Sequence, residues 1–550
     1  MSRLKNLYKL LIENRKHEIE SWHDAYEGFY SEVEDMRKRT ESNNGLSPEQ
    51  DKEFLKKLIY EANNGISTRG QSILSKPNFE AFIQERSFLS PLESFISKPT
   101  EDNFEEFDKA WRVQGKSNNP LLVNRVAAAC TLSVSTTVDN NKFNKVFDWL
   151  TKEEIIPENP TLADGGWFAK NEFLMGTIAK EFESELQNEK TDKFYLNIFV
   201  WELYENIFEP PFSLKKQIVK YGAPGTGKTY KAHQETLLFF EMWKDEFAPN
   251  SSFAYEKQTE FVQFHPSFSY EDFMEGLRPV LDGDGTAQLK LQNGVFKQFC
   301  QEAGKWEIDI HTLAPELDWD LLKIEDLSDI KKKLSEKGEH WQHIFQVADH
   351  SKLVSDAVPP FFFIIDEVNR AELSRVFGEL MYCLEYRGVK GKIKTQYAGL
   401  NNEKTGMLRT NQGYWFFIPT NVYLLGTMNT IDRSVESFDF ALRRRFKWEE
   451  VPPDTKLLKY DLKKHCPPPW VALADDLETL NGKITNETLL GAEYQIGHAY
   501  LMNMKYSKDL KVEEVRSRIW DDSIRPLLQE YLRGTDKSAE DFENEFGLKN

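Results

Sequence analysis

The run Gly222-Ala223-Pro224-Gly225-Thr226-Gly227-Lys228-Thr229, followed by Tyr230, constrains this chain more than any other segment. It fits the pattern G-x-x-x-x-G-K-[ST] in full and comes directly after the apolar pair Ile218-Val219, the strand–loop–helix setting that the pattern needs. Glycines at 222, 225 and 227 let the backbone turn its N–H groups toward a phosphate. Lys228 then reaches the β- and γ-phosphates, and Thr229 offers a hydroxyl to Mg²⁺. A lone glycine loop is consistent with an ordinary turn. A lysine and a threonine opening the next helix have no comparable packing reason, so residues 222–230 are the candidate nucleotide-binding set.

Two further apolar runs end in polar residues. Phe361-Phe-Phe-Ile-Ile365 reads as a parallel strand covered on both faces and ends in Asp366-Glu367. Asp366 is the expected Mg²⁺ ligand, directly or through water, and Glu367 the group that polarises the attacking water. Asn421-Val-Tyr-Leu-Leu-Gly-Thr-Met-Asn429 reads as another strand, whose terminal Asn429 carboxamide can hold the lytic water or the γ-phosphate. Downstream, Arg443-Arg444-Arg445 sets three guanidinium groups side by side, and these need carboxylate or phosphate partners. They serve either a neighbouring subunit's nucleotide or a local network with Asp432, Asp439, Glu449 and Glu450. Between Val368 and Glu385 the spacing predicts one amphipathic helix with Leu373, Val376, Phe377, Leu380, Met381 and Leu384 on its buried stripe.

A chain of 550 residues is too long for one core, so two to four domains are expected. The formal charge of −19 argues against a surface that coats nucleic acid, without excluding a local basic face. Four cysteines without CxxC or metal-ligand spacing give neither a zinc site nor a disulfide framework. The first residues form an acid-containing amphipathic helix rather than a signal peptide, and no apolar run is long enough to cross a bilayer, so a cytoplasmic protein is expected.

The expected organisation is a variable recognition or partner-binding domain over 1–195, a connector over 196–211, a nucleotide-binding core with insertions over 212–450, and a helical lid over 451–550. The first domain reads as mostly helical, with a Pro-, Ser- and Asn-rich loop region from Phe88 to about Asn119. Arg37-Lys38-Arg39 lies among Glu32, Glu34 and Asp35, which favours a solvated helix face over a nucleic-acid contact. Trp111, Arg112 and Lys116 read as packing rather than a base-stacking patch. In the core, His265 is expected to be structural, Gly283-Asp-Gly285 to mark a hairpin, Asp309–His350 to form a surface insertion, and Lys390, Lys392 and Lys394 to keep a hairpin soluble.

Several segments carry a narrower resemblance. These are Val262-Gln-Phe-His-Pro-Ser-Phe-Ser-Tyr-Glu-Asp-Phe-Met-Glu-Gly276, Ile364-Ile-Asp-Glu-Val-Asn-Arg370, Met428-Asn-Thr-Ile-Asp-Arg-Ser434, Phe440-Ala-Leu-Arg-Arg-Arg-Phe446 and Tyr494-Gln-Ile-Gly-His-Ala-Tyr500. Over residues 212–535 the chain resembles the McrB-type motor subunits of McrBC-like, modification-dependent (type IV) restriction systems, within the AAA+ superfamily. The resemblance implies an α/β fold: a P-loop AAA+ core with a parallel sheet, a helical C-terminal lid and a variable N-terminal domain. It implies a homo-hexamer that hydrolyses GTP with Mg²⁺, a partner nuclease subunit of the McrC kind, and modified double-stranded DNA as the target. Asp366 and Glu367 carry over as the acids at the strand end, Asn429 as the residue ordering the lytic water, and Arg444 and Arg445 as trans-acting arginines. ATP stays open as the alternative nucleotide, since no N-K-x-D guanine motif is present. A second function also stays open, an ATP-driven remodeller of a protein complex with no DNA specificity of its own. Neither reading assigns DNA cleavage to this chain alone.

Overall fold

The computed structural model describes all residues except 1, 42–44, 68–73, 115–119, 163–164, 282–286, 432–439, 503, 505 and 549–550. The chain divides into two units, Met1–Pro210 and Pro211–Asn550.

The first unit is built from helices, the longest being Lys16–Glu41. The helix Lys193–Phe208 is apolar on nearly every side, and a helix of that kind has to be buried all round. Leu196, Ile198, Phe199, Val200 and Leu203 are accordingly in the interior, and Asn197 donates to the Tyr26 hydroxyl at 3.2 Å. This corrects the expected connector over 196–211: most of that segment is an inner helix of the first unit. The region after Phe88 is likewise helical rather than loop, as Arg86–Ser97 and Glu101–Gln114. Phe88, Leu89, Leu92, Phe95 and Ile96 fall on one helical stripe and are all buried, and that periodic burial outweighs the local Pro and Ser content. Trp111 is buried against Phe82, Phe88 and Phe107, as packing requires, while Lys116 lies outside the described residues. Arg37 is tied to Glu34 and to the carbonyls of Ile96 and Cys130, and Arg39 to Asp51.

The second unit is organised around five strands: β1 (Gln217–Gly222), β2 (Thr259–Gln263), β3 (Phe361–Asp366), β4 (Val422–Asn429) and β5 (Lys447–Glu450). They form one parallel sheet in the order β2-β3-β4-β1-β5. Along β3, Phe361, Phe363 and Ile365 enter one core and Phe362 and Ile364 the other. An uninterrupted apolar run is what a strand covered on both faces requires. The register sets Gly222 opposite Asn429 and Ile365 opposite Gly426, so the tips of β1, β3 and β4 share one edge of the sheet. That carboxyl edge is where open α/β sheets bind ligands.

Between β2 and β3 the chain forms an antiparallel hairpin, Glu275–Leu281 with Ala287–Asn293, whose tip and the expected turn at 283–285 lie outside the described residues. The segment 309–350 differs from a surface insertion. Trp319, Leu327, Trp341 and Ile344 join the main core, because its large apolar side chains recur too often to be left in water. The expected single helix over 368–385 is interrupted: Leu373–Phe377 and Leu380–Glu385 are separated by Gly378, whose φ of 48° no helix accommodates. The buried stripe survives the break, with Met381 only partly buried. Lys390 pairs with Asp318 and Asp320 at 2.6 and 2.7 Å, and Lys394 donates to backbone carbonyls of the Leu408–Thr410/Gly413–Trp415 hairpin region. The C-terminal helices enclose a core of their own, from Leu458 through Trp470 and Trp520 to Phe546. The four cysteines are free, and no helix among the described residues is long and apolar enough to cross a membrane.

One ion pair is wholly inside this unit. Lys297 and Glu275 have side chains 1% and 0% exposed, and Glu275 also accepts from the Tyr397 N–H and the Asn401 amide. Removing only the cation strands a buried carboxylate. Lys297→Met is therefore expected to destabilise the unit by about 3–5 kcal/mol, whereas Lys297→Met with Glu275→Leu recovers most of that loss. Denaturant midpoints of the two variants check this.

Candidate active site

β1 delivers the phosphate loop, and helix Lys228–Phe247 starts directly after it with Gly227 at its N-terminus. Gly225 and Gly227 have φ of 74° and 77°, in the left-handed region that side chains rarely adopt. At Gly225 there is also no room, since a Cβ would lie 2.8 Å from the Tyr500 ring. Thr226 closes the loop internally, its hydroxyl donating to the Ala223 carbonyl at 3.1 Å. Lys228 folds back over the loop and donates to the carbonyls of Ala223 at 2.7 Å and Gly222 at 3.2 Å. Burial holds its pKa down to about 8, against the opposing pull of Glu367 and Asp366. A triphosphate supplies the negative charge that this ammonium lacks. Tyr230 is half exposed on the first turn of the helix.

The acids meet the loop as their strand position requires. The Thr229 hydroxyl donates to Asp366 Oδ1 at 2.8 Å, and the Thr427 hydroxyl donates to the same oxygen. Mg²⁺ in such sites takes one or two protein oxygens and fills its octahedron with phosphate oxygens and waters. The adjacent Thr229 hydroxyl and Asp366 carboxylate fit that donor set. Glu367 follows in the left-handed region at φ 52°, a conformation that costs a non-glycine residue energy and that collects at functional sites. Its Oε1 accepts from Asn429 Nδ2 at 2.7 Å, and its Oε2 lies 3.4 Å from Arg370 Nε. Buried Asn369 donates to the Asn429 carbonyl at 3.2 Å and fixes the end of β4. Lys228, Thr229, Asp366, Glu367 and Asn429 are thus brought together from three strand ends.

The arginines are elsewhere. Gln217, at the start of β1, donates to the Arg445 carbonyl at 2.8 Å, and Lys215 donates to that of Arg444. The five residues from there to Gly222 span about 16 Å along the strand. Arg444 and Arg445 both approach Glu385, at 3.3 and 3.0 Å. Their environments differ: the Arg444 side chain is 64% exposed, whereas that of Arg445 is 13% exposed and donates to the Ala441 carbonyl at 2.7 Å. Arg443 lies over the Trp448 ring. The local network expected for these arginines is corrected in part, since Glu449 instead serves Lys220 and Lys447, both at 2.7 Å. Asp432 and Asp439 lie outside the described residues, as do Arg433 and Ser434 of the family-like segment.

Sequence reading missed Thr427, Asn369 and the contacts made by the lid. Thr427 was legible as a polar residue two before the strand tip, on the same face as Asn429 by the alternation of a strand. His265 is exposed, and its carbonyl accepts from Phe268 N–H at 2.9 Å in a turn. At the junction of core and lid is a cavity of about 230 Å³, lined by Tyr221, Gly222, Thr430, Glu450, Glu493 and Gln495 among others.

Comparison with known proteins agrees with this fold. Residues 325–446 match the family model described as AAA domain (dynein-related subfamily), and 472–540 match that described as McrB, alpha-helical lid domain. The chain is 28% identical over 412 residues to the type IV methyl-directed restriction enzyme EcoKMcrB subunit of Escherichia coli (strain K12), covering 74% of this chain and 70% of that protein. It is 22% identical over 256 residues to the type II restriction enzyme BsuMI component YdiS of Bacillus subtilis (strain 168), covering 44% of this chain and 59% of that one, less than two thirds of its length. With the parallel sheet, the phosphate loop and the helical lid in place, these matches support a McrB-type AAA+ subunit, an enzyme that hydrolyses nucleoside triphosphates.

Proposed function

We propose that this chain is the Mg²⁺-dependent motor of a restriction system directed at modified DNA, assembled as a hexamer, using GTP, and working with a separate nuclease subunit. The Glu367–Asn429 pair beside Asp366 and Thr229 carries the catalytic part of this reading. Lys228 and the loop N–H groups hold the phosphates, and Mg²⁺ on Thr229 and Asp366 offsets their charge. Asn429 orients the attacking water, and Glu367 accepts its proton. Such positioning, with electrostatic stabilisation, supplies most of phosphoryl-transfer catalysis. The hexamer reading is supported by the arginines, because Arg444 stands at the far end of β1 from its own phosphate loop, so that a role on a nucleotide is one exerted on a neighbour's.

The name of the Escherichia coli relative, a methyl-directed enzyme subunit, supports the DNA target. A second reading, the ATP-driven remodeller, is favoured by one observation: Arg37, Arg39 and Arg112 of the first unit are each engaged by an acid of their own chain, Glu34, Asp51 and Asp108. Turnover of GTP and of ATP, each measured with and without methylated duplex DNA, separates the two. GTP hydrolysis exceeding ATP hydrolysis, with retention of methylated DNA, is the expected result. DNA-independent ATP hydrolysis without DNA retention establishes the remodeller instead, and NTP-dependent cleavage by the purified chain alone overturns the division of labour with a nuclease.

A further inference from the structure

The lid touches the phosphate loop directly. Gly497 N–H donates to the Pro224 carbonyl at 3.1 Å and Ala499 N–H to the Gly225 carbonyl at 2.9 Å, while Tyr500 covers Gly225. Between these anchors His498 is buried, and its ring stands over Gly227: a Cβ built there would lie 3.5 Å from Nε2. The other ring nitrogen is already committed. Nδ1 accepts the Asp454 N–H at 2.9 Å, and a nitrogen that accepts carries no proton. Burial lowers the pKa of this imidazole, with Asp454 only partly opposing, so the ring is neutral and its single proton is on Nε2.

That proton has no acceptor among the described residues. The nearby loop carbonyls are in use. Gly222 accepts from Thr430 N–H and Lys228, Ala223 from Thr226 and Lys228, and Gly227 from Lys231 N–H, while Pro224 and Gly225 are held by the lid backbone. An apolar ring would fill the same space over Gly227 without presenting an N–H to the phosphate loop.

We propose that His498 is a nucleotide-binding residue contributed by the lid, its Nε2–H donating to a phosphate oxygen of the nucleotide in the loop. This rests on the nucleotide-site reading above and adds a residue to it. The contact also gives the lid a direct register of whether the loop is filled, because the strap that carries His498 is the one bonded to Pro224 and Gly225.

Two substitutions separate the two ring nitrogens. Asparagine reproduces the Nδ1 acceptor for Asp454 N–H but is too short to place a donor over Gly227, and glutamine does the reverse. Calorimetric titration of the full chain with GTPγS, ATPγS and GDP in Mg²⁺ is expected to show affinity for the tighter-binding triphosphate analogue and for GDP lowered by about ten- to a hundredfold in His498→Asn, as for loss of a hydrogen bond to a charged group. The thermal midpoint of that variant stays close to wild type, and His498→Gln recovers most of the affinity. Unchanged affinity in His498→Asn overturns the proposal, as does an equal loss in both variants, which assigns the ring to packing. Should His498→Asn not fold, His498→Gln decides alone: near-wild-type affinity supports the donor and a tenfold or larger loss refutes it. Tight binding by wild type that Lys228→Ala abolishes keeps the nucleotide site intact even where the His498 proposal fails.

Discussion

Replacing Arg444 by alanine is expected to leave folding and nucleotide binding near normal and to slow turnover by about 10³-fold or more, the scale of a lost arginine finger. The side chain is largely exposed, and its pair with Glu385 is a surface contact whose loss costs little stability. Its position at the start of β1 removes it from its own phosphate loop, so the effect has to be exerted across an interface. Mixed assemblies test that point. A subunit with Arg444→Ala keeps an intact loop, and one with Lys228→Ala keeps an intact Arg444, so mixing them restores a fraction of the sites and part of the activity. Co-assembly without recovery makes Arg444 a cis or structural residue. Arg445→Ala serves as the contrast. That side chain is mostly buried and bonded to the Ala441 carbonyl, so its substitution is expected to lower the thermal midpoint as well as the rate.

Glu367→Gln is expected to retain nucleotide binding and assembly while losing hydrolysis by about 10²- to 10⁴-fold, the range for a general base. The amide keeps the shape of the side chain and can still meet Asn429, but it cannot take a proton from water. Single-turnover hydrolysis, set beside equilibrium binding of the same nucleotide, separates the chemical step from affinity. Unchanged turnover overturns the assignment of the base. Because Glu367 adopts its left-handed conformation in wild type and glutamine tolerates it no worse, stability is expected to change little.

The sequence alone was enough for those parts whose chemistry and geometry are local. Eight consecutive residues specify the phosphate loop, because the glycine conformations, the lysine reach and the helix start all follow from one short segment. The apolar run Phe361–Ile365 specified a central strand for a similar reason, since burial on both faces leaves no place for a polar residue, and Asp366 had to emerge at its end. The interior helix Lys193–Phe208 takes up most of the expected connector over 196–211, although its all-round apolar surface is visible in the residues themselves.

What tertiary structure decided was every relation between segments distant in the chain. That Asn429 meets Glu367, 62 positions away, depends on β4 pairing with both β3 and β1 in one register, which no local pattern encodes. The difference between Arg444 and Arg445 follows from where Glu385 and the Ala441 carbonyl lie, and adjacent identical residues carry no such information in their order. His498 is the most distant case: its role is set by the Asp454 N–H on one side and Gly227 on the other, 44 and 271 positions away. Local chemistry is written in the order of residues. Which nitrogen of a ring is free to donate is settled only by what folding places against it.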